Sequence, residues 1–107
     1  MITNPPQDAI IVEGGNATFQ CTGEENGVAV IVGWRFTPSG SATSIVLITG
    51  TNLTGIKMVT VSDELRTMLT FSGVRREADG ATLVCVAVGS SSSVTSDPAT
   101  LTVQCES

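Results

Sequence analysis

The sequence predicts an all-β chain folded as a two-sheet sandwich, and three observations carry that prediction. Apolar and polar residues alternate with a period of two over short runs, the signature of half-buried strands. Clusters of Gly, Pro, Asn and Ser interrupt these runs at regular spacing, marking off eight or nine strands. The composition is rich in Thr, Ser, Val and Gly and poor in aromatics, which are confined to Phe19, Trp34, Phe36 and Phe71, a mixture that suits pleated surfaces and tight turns. No internal repeat or helical period of useful length competes. With 107 residues there is room for one domain, expected over residues 5–104, with 1–4 and 105–107 as terminal linker or cloning-derived residues. A chain of this size buries roughly two-thirds of its unfolded surface, enough to fold alone with little margin.

In chain order, Pro5-Pro6 reads as an extended edge segment, where missing N–H groups do no harm. Ile10-Ile11-Val12 is a short strand stopped by Glu13-Gly14-Gly15. From Asn16 to Thr22, Ala17, Phe19 and Cys21 face one way and Thr18, Gln20 and Thr22 the other. Gly23 to Gly27 reads as a polar loop. Val28 to Phe36 is the most apolar strand, with Val32, Trp34 and Phe36 inward and Ile31, Gly33 and Arg35 outward; Pro38-Ser39-Gly40 breaks it. Ile45 to Ile48 is the next strand, followed by Lys57 to Ser62 and Thr67 to Ser72 around a charged turn, Asp63-Glu64. Residues 75–80 form the connection that crosses between sheets. Thr82 to Val88 returns with Leu83, Cys85 and Ala87 inward, Gly89 to Ser96 makes a serine-rich tip, and Ala99 to Gln104 closes the sheet with Leu101 and Val103 inward.

Twelve residues separate Cys21 from Trp34, and fifty separate Trp34 from Cys85. The second cysteine ends the run Asp79-Gly80-Ala81-Thr82-Leu83-Val84-Cys85, and Val12-Glu13-Gly14 and Leu69-x-Phe71-x-x-Val74 precede the two core strands. From about Pro5 to Gln104 this pattern resembles the immunoglobulin superfamily. The resemblance implies a Greek-key sandwich, a Cys21–Cys85 disulfide between the sheets, and Trp34 packed against it. The long Trp34–Cys85 interval implies a variable-type or intermediate-type domain with extra edge strands. It also implies a basic partner for Asp79, with Lys57 favoured and Arg66 or Arg75 as alternatives. Two departures count. Leu83 stands where the family carries a tyrosine, and Ala99 to Val103 lacks the Gly-x-Gly bulge of antigen-receptor variable domains. The second departure points away from a rearranging receptor and toward a cell-adhesion or receptor ectodomain module.

A Cys21–Cys85 bond closes 64 positions, and on the chain-entropy model it stabilises by about 4 kcal/mol, which implies an oxidising compartment. Cys105 is left over; its partner is either outside the sequence or, as the sharper alternative, the same cysteine of a second copy. Residues 1–6 lack the basic start and apolar run of a signal peptide, and no stretch approaches the ~20 apolar residues that span a bilayer. An extracellular domain of this kind is therefore expected to be an excised piece of a membrane-anchored protein. The sequons Asn16-Ala17-Thr18 and Asn52-Leu53-Thr54 mark Asn16 and Asn52 as candidate glycosylation sites and agree with the cell exterior.

Enzymatic chemistry is not expected. The chain has no histidine, the commonest general base and a frequent metal ligand. The serines near the tip have no base beside them in sequence, and the carboxylates at Glu24-Glu25 and Asp63-Glu64 have no calcium-loop spacing. No cofactor or metal is implied. The net charge of −5, with five Lys and Arg in all, argues against nucleic acid and against direct contact with an anionic membrane.

What remains is a binding surface. Thr82, Val84, Val86 and Val88 point outward from the strand around Cys85, beside Ile31, Gly33 and Arg35 and two of the residues Ile45 to Ile48. Thr18, Gln20, Thr22, Thr70 and Ser72 make the other sheet polar. A contiguous apolar patch on a small domain marks a contact site, although valines also favour strands for their own sake. In variable-type relatives this sheet is the usual dimerisation and ligand surface. Ile31, Gly33, Arg35, Val84, Val86 and Val88 are therefore the candidate interface, for a protein partner that includes a second copy in a homodimer. The expected role is an extracellular recognition module of an adhesion protein. The alternative is a ligand-binding ectodomain of a signalling receptor, a receptor kinase or immune-type receptor, using the loop ends.

Overall fold

Alternating burial along the strands sorts the chain into two facing sheets in the computed structural model, which describes residues 2–61, 65–89 and 93–104. The strands are β1 (Ile2–Asn4), β2 (Ala9–Val12), β3 (Ala17–Gln20), β4 (Thr22–Glu25), β5 (Val28–Val30), β6 (Val32–Thr37), β7 (Ile45–Leu47), β8 (Ile56–Val61), β9 (Met68–Val74), β10 (Thr82–Val88), β11 (Ser93–Thr95) and β12 (Ala99–Gln104). One sheet runs β2-β12-β10-β6-β7 with β11 on β10; the other is β3-β9-β8. A small third sheet, β1-β4-β5, completes the set. All pairings are antiparallel except β2 with β12. The all-β sandwich expected from the sequence is the fold observed.

The core follows from register. Across β10 and β6, Leu83 faces Phe36, Cys85 faces Trp34 and Ala87 faces Val32; across β3 and β9, Phe19 faces Leu69 and Ala17 faces Phe71. All of these side chains are buried. Phe71 of one sheet meets Phe36 of the other edge-on at 5.8 Å, and its sheet neighbour Phe19 at 5.9 Å, an arrangement worth about 0.5–1.5 kcal/mol per pair beyond area burial. The buried residues among those described are all apolar. Cys21 and Cys85 are bonded across the sandwich with Cα atoms 6.4 Å apart, and Trp34 lies buried in the same core. Its indole N–H donates to the Arg66 carbonyl at 2.8 Å, so the polar edge of the ring is satisfied.

The structure departs from the sequence reading in several places. Residues 2–4, expected as linker, form β1 and pair with β4. Gly23 to Gly27, expected as a loop, belongs to a β4–β5 hairpin whose two-residue turn is Asn26-Gly27, both with positive φ (55° and 78°). Asn-Gly is the strongest short-range signal for that turn, and the polar residues around it obscured the strands. The single strand read over 28–36 is two, because at Ile31 the backbone changes partners: the Val32 N–H donates to the Leu65 carbonyl at 3.0 Å. Beyond β6 the described residues add one strand, β7, before the chain turns back to β8. A 3₁₀ turn at Arg76–Ala78 makes the crossing expected over 75–80. The Asp63-Glu64 turn, Ser90–Ser92 of the serine-rich tip and Cys105 lie outside the described residues.

Candidate protein-recognition face

Strand register sets the outer face of the β7-β6-β10-β11 sheet. Val84 of β10 pairs with Arg35 of β6, which pairs in turn with Val46 of β7. The next outward row is Gly33, Val86 and Thr95. Because side chains alternate across a strand, these rows point away from the core that Trp34, Leu47 and Cys85 enter. Ile31 and Val88 meet at the end of the sheet, where the Val88 N–H donates to the Ile31 carbonyl at 3.0 Å. Thr37, Thr82 and Thr100, one row across three strands, edge the patch at the other end.

The candidate interface residues are thus brought together, and Val46 joins them. Val46, Val88 and Ile31 are 61%, 55% and 49% exposed, while Val84 and Val86 are half-buried. Between the strands lies a shallow depression of about 160 Å³ lined by Gly33, Trp34, Arg35, Val46, Val86 and Val88. Apolar side chains are exposed elsewhere too, including Ile10 and Val12 on β2 and Val28 at the hairpin. Those sit on strands away from this face, whereas Val84, Val86 and Val88 stand on β10, inside the sheet, and share its outer face with Val46 of the edge strand β7.

The outer face of β3-β9-β8 is built from a threonine row, Thr18, Thr70 and Thr60, as its polar reading required. The sequence reading missed two exposed methionines there, Met58 beside Ser72 and Met68 beside Gln20. Their signal, the outward phase of each strand, was present in the alternation. Thr22 belongs to β4, opposite Asn4, not to this sheet. Asn16 precedes β3 and is exposed, its Oδ1 accepting from the Gly73 N–H at 3.3 Å. Asn52 is exposed in the β7–β8 connection, next to buried Leu53.

The expected Lys57–Asp79 ion pair does not form. Asp79 Oδ1 instead accepts from the Val103 N–H at 2.8 Å. That bond extends the contact between β10 and β12, following the Gly80 N–H to Leu101 carbonyl (2.9 Å) and Leu101 N–H to Ala81 carbonyl (2.9 Å) bonds. Lys57 lies over Gly73, so closely that a Cβ on that glycine would come 2.7 Å from the Lys57 Cβ. A buried backbone N–H with no ladder partner needs an acceptor, and the carboxylate meets that need. The ion pair among the described residues is Arg75–Glu77, at 4.0 Å and largely exposed. Sequence reading also missed Ser96, whose Oγ accepts from the Cys85 N–H at 2.9 Å and donates to the Asp97 carbonyl.

Known proteins share this architecture. The family model for the immunoglobulin domain matches residues 11–98, most of the chain. Among solved structures, the N-terminal Ig1-2 module of the Drosophila Receptor Protein Tyrosine Phosphatase DLAR superposes with a TM-score of 0.68 at 24% identity. The match covers 99% of this chain and 49% of that one, so the chain spans about half its length. At that identity the likeness shows the fold. No curated protein matches the sequence.

Proposed function

The chain belongs to the immunoglobulin domain family, and from that premise we propose that it is an extracellular protein-recognition module of a cell-surface adhesion or recognition protein. The observation that carries this reading is the outward row of valines on β10 and β7 that flanks Gly33 and Arg35 of β6, with Val46 and Val88 more than half exposed. Isolated apolar residues on a surface need no explanation, but contiguous rows edged by threonines fit a contact site. The intrachain disulfide fits an oxidising compartment. Glycans on Asn16 and Asn52 would stand at the start of β3 and in the β7–β8 connection, leaving the valine rows open.

Pairing between copies is one arrangement of this face, and sedimentation velocity over a wide concentration range measures it. A concentration-dependent dimer that Val86→Asp dissolves supports homophilic binding. A strict monomer with no change on Val86→Asp removes it. The second reading, a signalling-receptor ectodomain that binds through its loop ends, draws on the β4–β5 hairpin, which exposes Val28 at 66%. Binding of a cell-surface ligand that Val28→Asp abolishes and Val86→Asp leaves intact would favour it.

A further inference from the structure

Resting on the reading that the valine face is the recognition surface, we infer that its ligand is an acidic protein segment that seats an apolar side chain over Gly33 and sets a carboxylate against Arg35, and is not a second copy of this chain. Two independent observations carry the inference.

The first is Gly33. It lies inside β6, paired with Val86, and glycine within a strand weakens it. The fold gives no reason for the choice. Its φ is outside the left-handed region that favours glycine, and a Cβ built there meets nothing within 4 Å. What the missing side chain does is open the depression of about 160 Å³ between Val46, Val86 and Val88. Shallow and open to solvent, a dent of that size takes up part of one apolar side chain, the end of a leucine or the edge of an aromatic ring. The β6–β10 register runs through Gly33 without a bulge, and of the uses of a strand glycine that leaves the close approach of a ligand or another backbone.

The second is Arg35. It is exposed and stands between Val84 and Val46 across the ladders, and its guanidinium makes no ion pair or hydrogen bond among the described residues. The chain holds ten acidic residues against five basic ones, yet the outward positions of β6, β7 and β10 carry none of the ten. Covering an arginine with an apolar surface leaves an uncompensated charge, which is costly. A ligand for this face must therefore bring an acceptor, and a carboxylate matches the planar guanidinium. A two-fold pairing presents the same patch from both sides. It would bring a second Arg35 to the interface and no carboxylate from these strands.

The test uses the secreted, disulfide-bonded domain and a displayed library of random twelve-residue peptides as the probe. Selected peptides are synthesised and their affinities measured on the domain and on its Gly33→Val, Arg35→Glu and Val86→Asp variants. Melting curves verify folding, and Gly33→Val is expected to melt no lower than the parent. Expected binders pair Asp or Glu with an adjacent Leu, Phe or Trp. Arg35→Glu should weaken them on the order of thirtyfold or more, and replacing the peptide acid by Lys should restore binding to that variant. Gly33→Val should cost about tenfold. Binders lost on Val86→Asp but indifferent to Arg35→Glu would overturn the acidic ligand and leave the face standing. Binders that ignore Val86→Asp would remove the face itself. A dimer dissolved by Val86→Asp in sedimentation would assign the face to a second copy and overturn the inference.

Discussion

Replacing Asp79 by alanine removes the acceptor of the Val103 N–H, a 2.8 Å bond at the end of the β10–β12 contact. Hydrogen bonds to charged groups contribute about 1.5–3 kcal/mol, and a stranded buried donor costs about 1–3 kcal/mol. Val103 is buried, but Asp79 is exposed, so water can reach part of the gap and the low end applies. The expected loss is about 1.5 kcal/mol. At roughly 2.1 cal/mol/K per residue for unfolding, a chain of 107 residues then melts about 7 °C lower. Asp79→Asn retains an oxygen in the same place and should recover most of the loss. Lys57→Met should change stability by less than about 0.5 kcal/mol, as surface substitutions do. The assay is urea unfolding of all four proteins and of the Lys57→Met, Asp79→Ala double variant. A coupling energy above about 1 kcal/mol in that cycle, or a Lys57→Met loss equal to that of Asp79→Ala, would refute the backbone role and restore the ion pair.

Three further outcomes are expected. Cys21→Ala with Cys85→Ala opens a 64-residue separation and should lower unfolding free energy by about 4 kcal/mol, a large part of what a domain of this size has, seen as a much lower urea midpoint. Trp34→Phe leaves the Arg66 carbonyl without its 2.8 Å donor and opens space in the core. It should cost about 2–4 kcal/mol by the same assay. Gly27→Val forces a branched residue into φ 78° and should destabilise the β4–β5 hairpin by about 1–2 kcal/mol, read as faster amide exchange in β5 with little change in β9.

Local information was enough for a good part of the fold. Thr82–Val88 and Ala99–Gln104 were legible to the residue, since period-two alternation is a property of consecutive side chains and needs no knowledge of neighbours. The outward row Val84, Val86 and Val88 was legible for the same reason. The β4–β5 hairpin was not read, though Asn26-Gly27 announced it, because Gly23, Glu24 and Glu25 carry no alternation and gain their strand character from β1 and Val28–Val30 alongside. β1 was missed on similar grounds: three residues have too short a pattern, and pairing with Thr22 and Gly23 makes them a strand.

By itself the sequence determined the all-β class, the inward and outward phase of the main strands and, through Cys21, Trp34 and Cys85, the family. These are encoded in short spacings that any folded neighbour must respect. Tertiary structure alone decided which carboxylate meets which donor, that Val46 completes the Arg35 row, and that Gly33 opens a dent with nothing filling it. Asp79 and Val103 are 24 residues apart, and their meeting depends on how β12 docks beside β10. Such contacts arise from register between strands remote in the chain, and a pattern of single-strand alternation holds no record of that register.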